Sequence, residues 1–192
     1  PPMDLGVALE KLAASATASD VPHTRSTVVS ALKYAITSDV TAHPEIDALL
    51  AQHIGTFFDL LKDKETSVRH ATLLTFNYLS SHRPALVRPV LAKYLPILYG
   101  ETAQKPELIT VVKLGPFEHK VDNGLILRQA AYECMYTLLD TCLAQLDLTA
   151  FTKTAYEGLK EEASLDNKAL KLLLLSKLTQ RAPLAILAAL EQ

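Results

Sequence analysis

Apolar residues recur along most of this chain at the i, i+3, i+4 spacing of a helix with one buried face. After His43-Pro44 the stripe runs Ile46, Leu49, Leu50, Ile54, Phe57, Phe58, Leu61 and predicts one long helix ending near residue 61. The same reading gives a first helix over 3–16 and a partner starting after Val21-Pro22, where proline stops one helix and precedes the next. The charged turn Lys62-Asp63-Lys64-Glu65 separates the long helix from another over 66–81. Pro84 suits the first position of a helix, where its missing N–H is not needed, and Gly100 suits a left-handed cap at the end of that helix. Further helices are predicted over 125–145, 149–161, 166–181 and from 183 onward. One stretch breaks the pattern. Residues 107–124 read ELITVVKLGPFEHKVDNG, with a run of β-branched residues, Ile109-Thr110-Val111-Val112, before Gly115-Pro116 and alternating apolar and polar residues after it. Alternation of period two on both sides of a Gly-Pro break predicts a β-hairpin. The tip is placed at Gly115-Pro116, because the residues after Asn123-Gly124 have helical spacing.

The helices repeat. With Val28, Arg69, Arg128 and Lys168 in register, the spacings are 41, 59 and 40. The middle spacing exceeds the first by 18, the length of the 107–124 stretch. Without that insertion the period is about 40 throughout, which with two helices per unit is the mark of HEAT or armadillo repeats. A basic residue after an apolar one, in Val68-Arg69 and Leu127-Arg128, fits the start of the second helix of such a unit. The expected fold is all-α: a HEAT-repeat α-solenoid of antiparallel helix pairs over residues 1–192, about four to five repeats, with one β-hairpin inserted at 107–124. The apolar residues Leu184, Ile186, Leu187 and Leu190, and Leu5, Val7, Leu9 and Leu12 at the other end, would need partners beyond the chain, so it reads as a segment of a longer solenoid or the ordered part of one.

Composition narrows the function. A content of 49% hydrophobic residues supports a substantial core, and a net charge of -2 gives no global argument for nucleic acid or an anionic membrane. No run of 18 apolar residues predicts a membrane span. Cys134 and Cys142 lie eight apart on one predicted helix, about 12 Å along its axis, too far for a mutual disulfide; they read as core cysteines in a reducing compartment. His119 lacks the clustered ligands a zinc site needs and reads as a hairpin side chain in an interface or in solvent. No Ser, His and Asp trio, no Gly-rich phosphate loop and no cofactor motif is present. Glu161-Glu162 reads as a solvated helix end. Arg69 and Arg128 read as rungs of a ladder pairing with acidic residues of neighbouring repeats, rather than as contacts to an acidic partner. Lys105, Lys113 and Lys120 are balanced by Glu107, Glu118 and Asp122, too mixed for a nucleic-acid stripe.

The string Val112-Lys113-Leu114-Gly115-Pro116-Phe117-Glu118-His119-Lys120-Val121-Asp122-Asn123-Gly124 closely resembles the inserted hairpin of the cullin-associated and neddylation-dissociated proteins. The segment Ala130-Ala131-Tyr132-Glu133-Cys134-Met135-Tyr136-Thr137-Leu138-Leu139-Asp140-Thr141-Cys142-Leu143 is similar to the helix that comes after it, and Ala31-Leu32-Lys33-Tyr34, Leu74-Thr75-Phe76-Asn77 and Leu95-Pro96-Ile97-Leu98-Tyr99 resemble stretches nearer the N-terminus. The likeness covers roughly residues 21–182. It implies a binding protein rather than an enzyme: the C-terminal HEAT region of a factor that wraps unmodified cullin scaffolds of ubiquitin ligases in cytoplasm and nucleus. It implies contact with the cullin N-terminal domain and competition with cullin adaptor and substrate-receptor modules, which promotes receptor exchange. The implied contact residues are Ile109, Val111, Lys113, Gly115, Pro116, Phe117, Glu118, His119, Val121 and Asp122. The remainder of the same or a split solenoid would meet the chain's ends. The rival reading is a generic HEAT scaffold that binds another helical protein.

Overall fold

A computed structural model describes residues 5–37, 44–162 and 164–190. It divides into two compact units, one up to Ile97 and one from Leu98 onward. Ten α-helices and one two-stranded antiparallel sheet make up the regular structure among the described residues.

The first unit contains α1 (Leu5–Ala18), α2 (Pro22–Thr37), α3 (Pro44–Phe58), α4 (Thr66–His82) and the short α5 (Pro84–Val87). Pro22, Pro44 and Pro84 each open a helix, where the lost N–H has no intrahelical partner to forfeit. α1 packs on both α2 and α3, and α2 packs on α4. Contacts to the next helix but one recur, between α1 and α3, α2 and α4, and α3 and α5, as in stacked helix pairs of a HEAT-like repeat. Leu9, Val29, Leu32, Ile54, Phe57, Phe58, Leu73 and Phe76 fill the core between them. Phe58 stands edge-on to Tyr94, with centroids 5.4 Å apart, and the Tyr94 hydroxyl donates to the Gly55 carbonyl at 2.9 Å. Thr75 Oγ1 donates across to the Val29 carbonyl at 3.2 Å and ties α4 to α2.

α6 (Leu91–Glu101) runs through the boundary in the chain, and the second unit continues with β1 (Ile109–Leu114), β2 (Phe117–Asp122), α7 (Leu125–Thr141), α8 (Leu148–Glu161), α9 (Leu165–Arg181) and α10 (Pro183–Leu190). α7 packs on α9, and α10 on both α8 and α9. The rings of Tyr99 and Phe151 meet edge to face across α6 and α8. The stacking logic is the same as in the first unit. Asp147 and Ser164 cap α8 and α9, each side chain accepting from backbone N–H groups of the first turn.

The helical fold with its single hairpin agrees with the expectation, and several boundaries differ. The helix expected over 84–100 is split, because Pro89 lacks an N–H and its ring would strike the carbonyl four residues back; α5 ends at Val87 and α6 starts at Leu91. Gly100 is no left-handed cap. It lies inside α6, and Gly115 is the only residue with positive φ among those described. The helix after the hairpin stops at Thr141 rather than 145, since Cys142 leaves helical geometry at φ -135, ψ 22 and a tight 3₁₀ turn, Leu143–Gln145, comes next. That turn still delivers Leu146 to the core, so the apolar spacing alone could not mark the break. A similar turn, Asp59–Lys62, ends the long helix after Phe58. The expected helical positions Met3 and His43, and the side chains of Leu5, Ile46 and Leu190, lie outside the described residues. Cys134 and Cys142 are both buried and are not joined in a disulfide.

A candidate protein-binding hairpin

β1 and β2 pair antiparallel from Ile109↔Asp122 at the base to Leu114↔Phe117 at the tip. Gly115 takes the first turn position with φ 63, a conformation open to glycine at no steric cost, and Pro116 holds the second. Side chains that face each other across a ladder share one side of it. Register therefore sorts the hairpin into two faces. One carries Val111, Lys113, Glu118 and Lys120, with an exposed Lys113–Glu118 pair at 3.4 Å that contributes little. The other carries Thr110, Val112, Phe117, His119 and Val121. Phe117 is 67% exposed, and Val112 and Val121 are both exposed. Among the described side chains of the two strands, only Ile109 and Asp122 are partly shielded.

A two-stranded hairpin is marginal by itself, and this one is secured at its base. The Asn123 backbone N–H donates to the Leu108 carbonyl at 3.0 Å, and its side-chain amide donates to the same carbonyl and to Thr110 Oγ1. Asp122 Oδ1 accepts from the Gly124 N–H at 2.9 Å, which turns the chain into α7. A Cβ at Gly124 would come within 3.1 Å of Leu108 and 3.2 Å of Asp122, so glycine permits the close approach. Asp122 Oδ2 accepts from Gln104 at 3.1 Å and meets Arg128 Nη2 at 2.8 Å.

Arg128 continues the chain of contacts inward. Its Nε and Nη2 donate to the two carboxylate oxygens of Glu162 at 3.0 and 3.2 Å. Glu162 also accepts from Asn167 and the Ser164 N–H and pairs with Lys171 at 3.5 Å, whose ammonium lies over the Tyr132 ring. Glu162, Arg128 and Lys171 are all buried. Burial pushes the Glu162 carboxyl up, but Arg128, the Ser164 amide and Asn167 outweigh it and lower its pKa to about 2. Asp122 behaves likewise: burial raises it, and Arg128, Gln104 and the Gly124 amide bring it below the ordinary carboxylate value. The Arg128 guanidinium is disfavoured by burial and favoured more by Glu162 and Asp122, so its pKa is raised.

These contacts correct one expectation and refine another. Glu162 is not a solvated helix end; it is the buried acid at the α8–α9 corner, and the Glu161 side chain lies outside the described residues. The ladder expected of Arg128 is present. In the first unit Arg25 makes a similar fork. Arg25 donates to both oxygens of Asp63 at 2.7 and 2.9 Å, and Asp63, like Glu162, accepts from the N–H two residues on. Arg69 donates to the Asp63 and Lys64 carbonyls. The sequence signal for Glu162 is its place three residues before a helix start, matching Asp63 before α4. Among the described residues no group of three His, Cys, Asp or Glu side chains gathers as a metal site, and no helix is long and apolar enough to cross a membrane.

Residues 86–192, more than half of the chain, match the family described as TATA-binding protein interacting (TIP20). The chain is 42% identical over 170 residues to Cullin-associated NEDD8-dissociated protein 2 of Mus musculus, covering 88% of this chain and 13% of the relative. It is 44% identical over 143 residues to Cullin-associated NEDD8-dissociated protein 1 of Dictyostelium discoideum, covering 74% of this chain and 11% of that protein. It is 35% identical over 159 residues to the protein named Cullin-associated NEDD8-dissociated protein 1, C-terminal part, of Emericella nidulans, covering 83% and 15%. The chain thus spans only a small part of the length of these relatives. On the family match and on these identities, the chain belongs to the cullin-associated NEDD8-dissociated protein family.

Proposed function

We propose that this chain is a cullin-binding module, not a catalyst, and that its hairpin is the part that competes with adaptor and substrate-receptor modules. The partner is the N-terminal domain of an unmodified cullin. One observation carries the reading: Val112, Phe117 and Val121 share a hairpin face that is exposed among the described residues. Contiguous exposed apolar side chains with polar surroundings mark interaction sites, and aromatic anchors dominate such interfaces. The relatives' names supply the partner class. The face with Val112, His119, Phe117 and Val121 docks, while Lys113, Glu118 and Lys120 on the opposite face stay in solvent. Ile109 and Asp122 support the base, and Gly115 and Pro116 form the tip.

The test is capture of this chain by an immobilised, unmodified cullin N-terminal domain. The native chain is expected to be retained, and a variant with residues 110–121 replaced by a short Gly-Ser turn is expected to bind far more weakly. Equal retention of both would remove the hairpin from the interface, and failure of both would remove the cullin. Retention by an unrelated helical protein at equal strength would favour a general helical scaffold.

A further inference from the structure

We infer that Arg128 and Glu162 are positioning residues for the hairpin: they set its direction from the α8–α9 corner, through Asp122. This rests on the proposed role of the hairpin in binding, but the coupling itself is a property of the free chain.

The geometry is continuous. Asp122 Oδ2 lies 2.8 Å from Arg128 Nη2, the same guanidinium is forked onto Glu162 at 3.0 and 3.2 Å, and Glu162 is held by Lys171, Asn167 and the Ser164 N–H. The guanidinium plane is therefore fixed by the corner before it meets the hairpin. Charge strengthens the link, because Asp122 gives the buried Arg128 guanidinium a second carboxylate beside Glu162. A buried cation without its counter-ion is strongly disfavoured. Beyond the Asn123, Gly124 and Gln104 contacts at its base, the hairpin has no other anchor among the described side chains of its strands except Ile109, since the rest are exposed. Coupling of this kind is reciprocal. A partner that pulls the hairpin away from Arg128 loosens the α8–α9 corner, and a change at the corner redirects the hairpin.

The experiment places a nitroxide on the polar face by Lys120→Cys in the full chain. Cys134 and Cys142 are buried, so the label goes to the introduced thiol. Spin-label mobility is then compared in Asp122→Asn, Arg128→Lys and Glu162→Gln, using samples with native circular dichroism and a cooperative melt. Arg128→Lys keeps the charge but loses the fork. All three are expected to sharpen the spectrum, and Asp63→Asn, which cuts the Arg25 pair of the first unit, is expected to leave it unchanged. A folded Arg128→Lys with the parent spectrum overturns the inference, as does an equal change in Asp63→Asn, which would report general loosening. If Glu162→Gln does not fold, Arg128→Lys decides. Cullin affinity of the same variants is expected to fall about tenfold. If Phe117→Ala leaves affinity unchanged, the binding role fails while the mobility result still judges the tie.

Discussion

Phe117 presents its ring to solvent from the residue after the turn, so its removal costs the fold almost nothing. Phe117→Ala is expected to leave the melting temperature within experimental scatter. A buried Phe would instead cost about 3–5 kcal/mol. The same substitution is expected to weaken cullin binding by about 2 kcal/mol, roughly thirtyfold, as for an aromatic anchor. Melting and affinity measured on one variant separate the two roles, and a large drop in melting temperature would assign the ring to the core. Glu162 is the opposite case. Its pKa lies at about 2 in the fold against an ordinary 4.5, so its stabilisation is complete above about pH 4.5 and is lost as pH falls toward 2. The difference corresponds to about 3 kcal/mol. Glu162→Gln is therefore expected to lower stability at neutral pH by roughly 3–5 kcal/mol, since the buried Arg128 guanidinium loses its forked carboxylate. Its urea midpoint should then depend less on pH between about 4.5 and 2 than the parent's. Parallel acid limbs for the two proteins would contradict this.

At the scale of the element, the outer part of the hairpin, residues 110–121, lies beyond the Asp122 tie at its base and is expected to open without the helices. Gly115→Val forces a β-branched side chain into a left-handed conformation, at a cost of about 1–2 kcal/mol. The expected result is amide exchange about tenfold faster in residues 110–121, with little change in the helices; slower exchange or a global loss of stability would show that the turn is not an independent element. This element is plain in the sequence. A Gly-Pro break inside alternating residues can hardly be read as helix, and the helical spacing after Asn123-Gly124 leaves Gly115-Pro116 as the tip. Helix ends are less legible. Leu143 and Leu146 keep an apolar spacing across a 3₁₀ turn, so period alone carries α7 too far. Pro89 is easily overlooked because Pro84 already explains a helix start. The buried carboxylate of Glu162 is hidden for a different reason. Adjacent glutamates at a helix end look solvated until a distant arginine and lysine are brought onto one of them, and only the fold brings them there.

For the whole molecule, the repeat is visible as spacing: about 40 residues per unit, interrupted once by 18. The side of the hairpin left bare is not, because alternation names two faces without saying which the chain covers. Among the described residues both are largely exposed, and the one with Val112 and Phe117 is proposed to meet the cullin. The central claim is that this face and a cullin adaptor occupy the same surface. It is tested most directly by titrating the chain onto an unmodified cullin N-terminal domain at increasing fixed concentrations of adaptor. The apparent Kd is predicted to rise in proportion to adaptor concentration, without limit, and the effect is predicted to vanish in any residual binding by the variant lacking residues 110–121. An apparent Kd that levels off or does not move, with adaptor and chain bound together, would contradict the account.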